Sequence, residues 1–189
     1  MEITKMLYVA NAKDWRAWLS KNYSKEKEIW LVYYKTGSGK PRIPYNEAVE
    51  EALCFGWIDS TVKKIDGERF AQRFSSRNRK SPYSQMNRER LRKLISEGKV
   101  IKEVLSTLGS IHEEKFEIPR EILKAIESNP KAWENFQKFS ERYRRIRIAY
   151  IDDARQSNRK NEFKKRLDYF IKMTARNKQF GFGGITEYF

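Results

Sequence analysis

The first third of the chain has apolar positions whose spacing changes from a helical to a strand period and back. Asn11 can cap a helix that carries Trp15 on its apolar face. Residues 28–35 are β-branched and aromatic, a composition that predicts a buried strand. Residues 45–53 return to the i, i+3, i+4, i+7 spacing of an amphipathic helix, and Gly56 is placed to end it. The pattern therefore predicts a helix, a strand and a helix in that order.

Two further strands and a third helix are predicted next. Residues 57–65 and 69–75 have strand character and are joined by the Asp-Gly pair at 66–67, a strong hairpin signal. The Ser-Pro pair at 81–82 can supply an N-cap followed by proline at the first helical position, which predicts a helix to residue 97. These elements predict a small antiparallel sheet packed on helices.

The second half of the chain has helical spacing throughout. Helices are expected to begin at Pro119 and at Asn129, and two longer basic helices are expected over 140–156 and 159–175. The predicted fold class is α+β, with a C-terminal helical subdomain after the sheet. The predicted divisions are a core domain over 1–102, a connector over 103–118, a basic helical subdomain over 119–178 and a tail over 179–189.

The net charge of the chain indicates which classes of partner it could bind. The 189 residues carry a formal net charge of +15, and 34% of them are charged. Residues 61–102 hold 13 basic and 4 acidic side chains, and residues 140–189 hold 13 and 6, so the excess comes from two separate blocks. A positive field of this kind attracts nucleic acid, anionic lipid heads or anionic metabolites.

Several kinds of chemistry are excluded or disfavoured. Cys54 is the single cysteine, so a disulfide within the chain and a cysteine-based zinc site are not expected, and its helical apolar surroundings predict a buried, unreactive thiol. His112 is the single histidine, and no G-x-S-x-G motif accompanies it. We expect no metal and no cofactor. The start lacks an apolar signal region and no apolar run reaches membrane-spanning length, so the expected location is the cytoplasm.

The order of motifs between Trp30 and Asn87 carries a family resemblance. It runs through the apolar segment 30–35, the segment 45–59 and the Arg-Phe-Ala-Gln-Arg-Phe segment 69–74. This order resembles the YdeI/OmpD-associated proteins, also called bacteriocin-protection proteins, and the resemblance extends more faintly into the last third of the chain. It implies a setting in envelope or antimicrobial-peptide stress, and it implies no catalytic residue.

The first candidate site is an anion-binding surface around the third strand and the helix that follows. Strand residues two apart share a face, so Arg69, Arg73 and Arg77 can project together toward the free N–H groups of the helix start at Ser81. The predicted members are Trp57, Asp59, Arg69, Arg73, Arg77, Lys80, Ser81, Tyr83, Ser84 and Asn87. In the alternative interpretation Ser81 is only a cap, Asp59 pairs with an arginine, and the basic strand face is solvated.

The second candidate is a nucleic-acid surface on the basic helices. Its predicted members are Arg142, Arg145, Arg155, Arg159, Lys164, Lys165 and Arg166. These side chains could follow a phosphate backbone while Tyr143 and Tyr150 stack on bases. Both tyrosines also lie at helical spacings among isoleucines, which favours a core role for them.

The leading hypothesis from sequence is a non-enzymatic binding protein that recognises an anionic ligand or partner. The alternatives are a small enzyme acting on a phosphorylated or carboxylated metabolite, with Asp59 as base and Arg73 and Arg77 as an anion clamp, and a nucleic-acid-binding protein. A homodimer formed through exposed aromatic residues is also possible. A concave pocket containing Trp57, Asp59 and Arg73 would favour a metabolite, whereas a flat basic stripe would favour nucleic acid or protein.

Overall fold

The computed structural model describes residues 2–78, 80–109, 111 and 115–181. The chain divides into two compact units, Met1–His112 and Glu113–Phe189. Within the described residues, none of the helices has the length and apolar character needed to cross a membrane.

The first unit contains a four-stranded sheet. Its strands are β1 (Met6–Tyr8), β2 (Glu28–Tyr34), β3 (Trp57–Lys64) and β4 (Arg69–Ser76), in the order β1-β2-β4-β3. The last three strands pair antiparallel as predicted, but β1 pairs parallel with β2, so the sheet is mixed. With three residues, β1 is too short for its alternation to be recognised in the sequence.

The described residues of this unit form four helices: α1 (Ala12–Asn22), α2 (Tyr45–Cys54), α3 (Gln85–Ser96) and α4 (Lys102–Leu105). Val49 and Leu53 of α2 are fully buried in one cluster with Leu31 of β2 and Phe74 of β4. The predicted packing of helices on the sheet is therefore confirmed, as is the α+β fold class. Of the two alternating sets on β2, the odd-numbered residues join this cluster.

The second unit is helical. It consists of α5 (Arg120–Glu127), α6 (Pro130–Lys138), α7 (Glu141–Gln156) and α8 (Lys160–Ala175), with α8 packed against the other three. The buried side chains include Ile122, Phe136, Ile148 and Phe170. Asn129 and Ser140 cap α6 and α7 through their side-chain oxygens. The four predicted helices of this region are confirmed to within two residues.

Candidate functional site

A cavity of about 600 Å³ lies in the first unit, at the end of the sheet where β3 begins and β4 ends. The loop between α1 and β2 and the short helix α4 complete its walls. Four predicted site residues line it: Trp57, Arg73, Arg77 and Tyr83. We refer to it as the Arg77 cavity.

Hydrogen bonds to backbone carbonyls hold the walls of the Arg77 cavity in place. The indole Nε1 of Trp57 donates to the carbonyl of Tyr23 at 3.1 Å, and the amide of Arg77 donates to the carbonyl of Gly56 at 3.0 Å. Gly56 has φ +71°, and a Cβ there would lie 3.2 Å from a methyl of Val104. Glycine is thus required where the chain turns from α2 into β3.

The loop before β2 adds two lysines that sequence reasoning missed. Because β2 and β4 pair antiparallel with Glu28 opposite Ser75, the residue before β2 lies beside the end of β4. The amide of Ser76 accordingly donates to the carbonyl of Lys27 at 3.2 Å, and Lys25 and Lys27 both line the cavity. The sequence shows that the two lysines precede a predicted strand. It does not show the register in which that strand pairs with β4, and without the register the lysines cannot be placed at the cavity.

Arg73 is held by Glu28. Its Nε and Nη2 donate to the same carboxylate oxygen, Oε2, at 2.8 and 2.6 Å, and both side chains are about one-fifth exposed. The other oxygen of Glu28 accepts from Thr4 at 2.8 Å and from the indole of Trp30 at 3.4 Å. These bonds, with that from Thr4 first and those from Arg73 next, lower the pKa of Glu28. Arg73 therefore has a structural partner in Glu28.

The three other basic residues on the wall of the Arg77 cavity differ from Arg73 in their ion pairing. Among the described residues, Arg77, Lys25 and Lys27 have no carboxylate within ion-pair distance. The guanidinium of Arg77 stacks on the ring of Tyr83, with its central carbon 3.5 Å from the ring centroid. Glu103 is an exposed acidic residue on the wall. The cavity therefore keeps an excess of positive charge after its ion pairs are counted.

The predicted helix start at Ser81 is wrong. Helix α3 begins at Gln85, and the N-cap is Ser84, whose Oγ accepts from the amide of Asn87 at 3.3 Å. The sequence offers two serines three positions apart, both suitable as caps. Ser81 lies in an exposed non-helical segment and, like Ser84, does not line the Arg77 cavity.

Arg69 and Lys80 also lie outside the cavity. The guanidinium of Arg69 contacts the carboxylate of Asp66 at 2.6 Å. Asp66 also accepts hydrogen bonds from the backbone amides of Glu68 and Arg69. This network closes the hairpin between β3 and β4. The backbone amide of Lys80 donates to the side chain of Asn78 at 3.0 Å in an exposed loop.

Asp59 faces away from Arg73. It is opposite Phe74 in the register of β3 and β4, and adjacent residues of a strand point to opposite faces. Its Oδ2 accepts from the hydroxyl of Tyr45 at 2.8 Å and from the amide of Gln72 at 3.3 Å. Burial, with the charge of Asp59 next, raises the pKa of Tyr45 to about 12. The predicted pairing of Asp59 with an arginine is wrong, and so is its grouping with an arginine clamp.

Asn87 accepts a hydrogen bond from Arg90, which does not line the Arg77 cavity. Its Oδ1 accepts from Arg90 at 2.9 Å, and Asn46 accepts from the same guanidinium at 2.7 Å. Arg90 is 3% exposed, and this burial lowers its pKa. Asn87 therefore belongs to a polar contact between α2 and α3.

Two further sequence expectations concern nucleophiles and metals. Cys54 is fully buried, and burial raises the pKa of its thiol to about 11, as expected for an unreactive cysteine. Within the described part of the chain, no group of three or more His, Cys, Asp or Glu side chains could hold a metal ion. His112 lies outside the described residues.

Carboxylates pair with most of the arginines of the predicted nucleic-acid surface. Four of its seven members form ion pairs on α7 and α8: Arg145 with Glu141, Arg155 with Asp152, Arg159 with Asp153, and Arg166 with Glu162 and Asp153. Arg142, Lys164 and Lys165 are exposed. Tyr143 is fully buried, as its helical spacing favoured, whereas Tyr150 is 38% exposed. The arginines on this surface thus have few charges left for a phosphate backbone.

Two family models match the chain. Residues 115–177 match the family described as bacteriocin-protection, YdeI or OmpD-associated, and residues 7–107 match a domain of unknown function (DUF8412). The predicted resemblance is confirmed, but its matched region is the last third of the chain and not the 30–87 segment. Much of that segment builds the core, a constraint that unrelated α+β domains share. Searches of the curated proteins and of the solved structures found no significant match. The chain therefore belongs to the family of this domain of unknown function, and the segment after it is similar to the bacteriocin-protection, YdeI or OmpD-associated family.

Proposed function

We propose that the first unit is a binding module, and not an enzyme, that takes a small anionic metabolite with a phosphate or carboxylate group into the Arg77 cavity. The observation that carries the proposal is the guanidinium of Arg77, which lines the cavity without a carboxylate partner among the described residues. An arginine in this state can offer a fork of N–H donors to a phosphate or carboxylate.

The stack on Tyr83 supports this role. A guanidinium that lies 3.5 Å above a ring is held by contact with its face, so the N–H groups at its edge stay available. Little rotational freedom is lost when such a side chain binds a ligand. Lys25 and Lys27, exposed on the opposite loop, add charge that attracts an anion to the cavity.

The concave shape favours a small ligand over a nucleic acid. A volume of about 600 Å³ is within the usual range of metabolite sites, which runs from about 300 to 1,000 Å³. Asp59, the proposed base of the enzyme hypothesis, is not on its wall, which favours binding over catalysis. The name of the matched C-terminal family suggests bacteriocin protection as the setting in which such binding would act.

The test is a thermal-shift and calorimetric screen of the full chain against phosphorylated and carboxylated metabolites at two salt concentrations. A ligand that binds the folded state should raise Tm, and the shift should shrink at higher salt. Arg77→Gln should weaken binding by about 10-fold or more, the effect of losing about 1.5–3 kcal/mol from a charge-assisted hydrogen bond.

The matched control is Lys64→Gln. Lys64 is an exposed cation on β3 that does not line the cavity, so this variant removes one positive charge from the same unit. Equal losses of affinity in Arg77→Gln and Lys64→Gln would show that only net charge matters and would reject the site. Binding of short nucleic acids in preference to every metabolite would favour the nucleic-acid hypothesis instead.

A further inference from the structure

Arg147 lies on the buried face of α7. It is four residues after Tyr143 and four before Ile151, both fully buried, and it is itself 6% exposed. A charged residue at this position of an apolar stripe is unusual, because buried arginines are normally paired.

The guanidinium of Arg147 makes no hydrogen bond and no ion pair with any described residue, and its Nε is buried without a partner. Burial lowers its pKa from the ordinary arginine value. Its contacts are with rings: its central carbon lies 4.1 Å from the centroid of Phe180 and 5.1 Å from that of Tyr150. Ring faces attract the charge, but they supply no hydrogen-bond acceptor for Nε, which stays buried without a partner.

A second cavity, also of about 600 Å³, borders this guanidinium. Tyr150, Tyr169 and Phe180 form its aromatic walls, and Tyr169 is half exposed while its ring meets that of Phe180 edge to face at 4.8 Å. We refer to it as the Arg147 cavity.

The charges around the Arg147 cavity do not balance. Arg166 lines it but is bound to Glu162 at 2.9 Å and to Asp153 at 3.5 Å, so the acidic residue of the wall already has its cation. Lys165, on the same wall, is exposed and has no carboxylate partner among the described residues. Arg147 and Lys165 therefore leave this cavity positive.

We propose that the Arg147 cavity binds a small aromatic anion, in which a carboxylate or phosphate group is attached to a planar ring. The acidic group would accept hydrogen bonds from the N–H groups of Arg147, and the ring would pack on the half-exposed ring of Tyr169. A guanidinium shielded from water matches a carboxylate or phosphate with two parallel hydrogen bonds. This site lies in the second unit and is independent of the one proposed in the first unit.

The experiment is isothermal titration of the full chain at low salt with four probes: benzoate, phenyl phosphate, inorganic phosphate and cyclohexanecarboxylate. Benzoate and phenyl phosphate distinguish the two acidic groups. Cyclohexanecarboxylate has the charge and bulk of benzoate without the flat ring, and it should bind at least several-fold more weakly than benzoate. Inorganic phosphate should likewise bind more weakly than phenyl phosphate.

The variants are Arg147→Met and, as a matched control, Arg142→Met. Both remove one arginine from α7, but Arg142 is exposed. Arg147→Met should weaken the binding of whichever aromatic anion, benzoate or phenyl phosphate, binds more tightly by about 10-fold to 100-fold. Arg142→Met should weaken it by less than about twofold. Removal of a buried cation without a partner should leave Tm unchanged or raise it.

Tyr169→Ala covers the case in which Arg147→Met does not fold. It removes a half-exposed ring and should weaken the aromatic anion several-fold without affecting inorganic phosphate. The proposal is overturned if no aromatic anion binds the unmodified chain at millimolar concentration, or if Arg147→Met binds as well as Arg142→Met. It is also overturned if binding of these probes is lost in Arg77→Gln and kept in Arg147→Met, because the ligand then occupies the other cavity.

Discussion

Replacement of Arg73 by alanine should destabilise the protein. The variant loses two hydrogen bonds to Glu28, at 2.8 and 2.6 Å. Charge-assisted bonds contribute about 1.5–3 kcal/mol when buried, and exposed ion pairs about 0.2–1 kcal/mol. Both side chains are about one-fifth exposed, so the expected loss lies between these limits, at about 1–2 kcal/mol. For a chain of this length that corresponds to a Tm lower by roughly 2–8 °C.

The pH dependence gives an independent check. Hydrogen bonds from Thr4 and Arg73 lower the pKa of Glu28 in the folded state. A carboxylate whose folded pKa is depressed stabilises the fold above its unfolded pKa of about 4.3, and this stabilisation is lost as the pH falls through the folded value. Arg73→Ala should therefore lose more stability relative to the unmodified chain at pH 7 than at pH 3.

The assay is urea unfolding of Arg73→Ala, Glu28→Gln and the double variant, which together form a double-mutant cycle. A coupling energy below about 0.3 kcal/mol would refute the reasoning, since the pair would then contribute nothing. So would a variant of unchanged stability that no longer binds the anion of the Arg77 cavity. Arg69→Ala, which breaks the more exposed pair with Asp66, is the comparison and should have a smaller effect.

Three further predictions concern local structure. Ser84→Ala should lower the free energy of unfolding by about 1 kcal/mol and Ser81→Ala should not, because the oxygen of Ser84 caps α3; equal urea midpoints would contradict the assignment. Cys54 should resist a thiol reagent at pH 8 until the protein unfolds, because its thiol is buried with a pKa raised to about 11; rapid labelling of the folded protein would disprove this. Gly56→Ala should lower the free energy of unfolding by roughly 1–2 kcal/mol, since its φ of +71° is strained for alanine and its new methyl would meet Val104; an unchanged urea midpoint would count against it.

Most of the helices and strands could be predicted because local signals agree with burial. Asn11 caps α1, and the Asp-Gly pair at 66–67 lies in the hairpin between β3 and β4, as its type suggests. β1 could not be predicted, because three residues do not show a period and its pairing depends on β2. The start of α3 could not be predicted, because Ser81 and Ser84 are both serines that suit an N-cap and the sequence does not distinguish them.

The candidate site was harder to predict than the fold. Strand alternation correctly places Arg69 and Arg73 on one face of β4, but it does not say which carboxylate each one meets. Asp66 forms an ion pair with Arg69 across the hairpin turn. Glu28 binds Arg73 across the sheet, although the two residues are 45 positions apart in the sequence. Pairing of this kind depends on register, which a single sequence does not reveal.

The two arginines that best support ligand sites share a physical property that charge clustering does not detect. An exposed arginine on a helix, such as Arg155, has the rotamer freedom to reach a carboxylate one turn away, and Arg155 does so with Asp152. Arg77 and Arg147 lie against aromatic rings, and neither forms an ion pair with a carboxylate of the described residues. In both of our proposals, an anionic ligand would supply the partner that the guanidinium lacks among the described residues, and its binding should stabilise the folded chain. A functional cation in this chain is therefore better sought among arginines at aromatic or apolar positions than within the runs where basic residues are most dense.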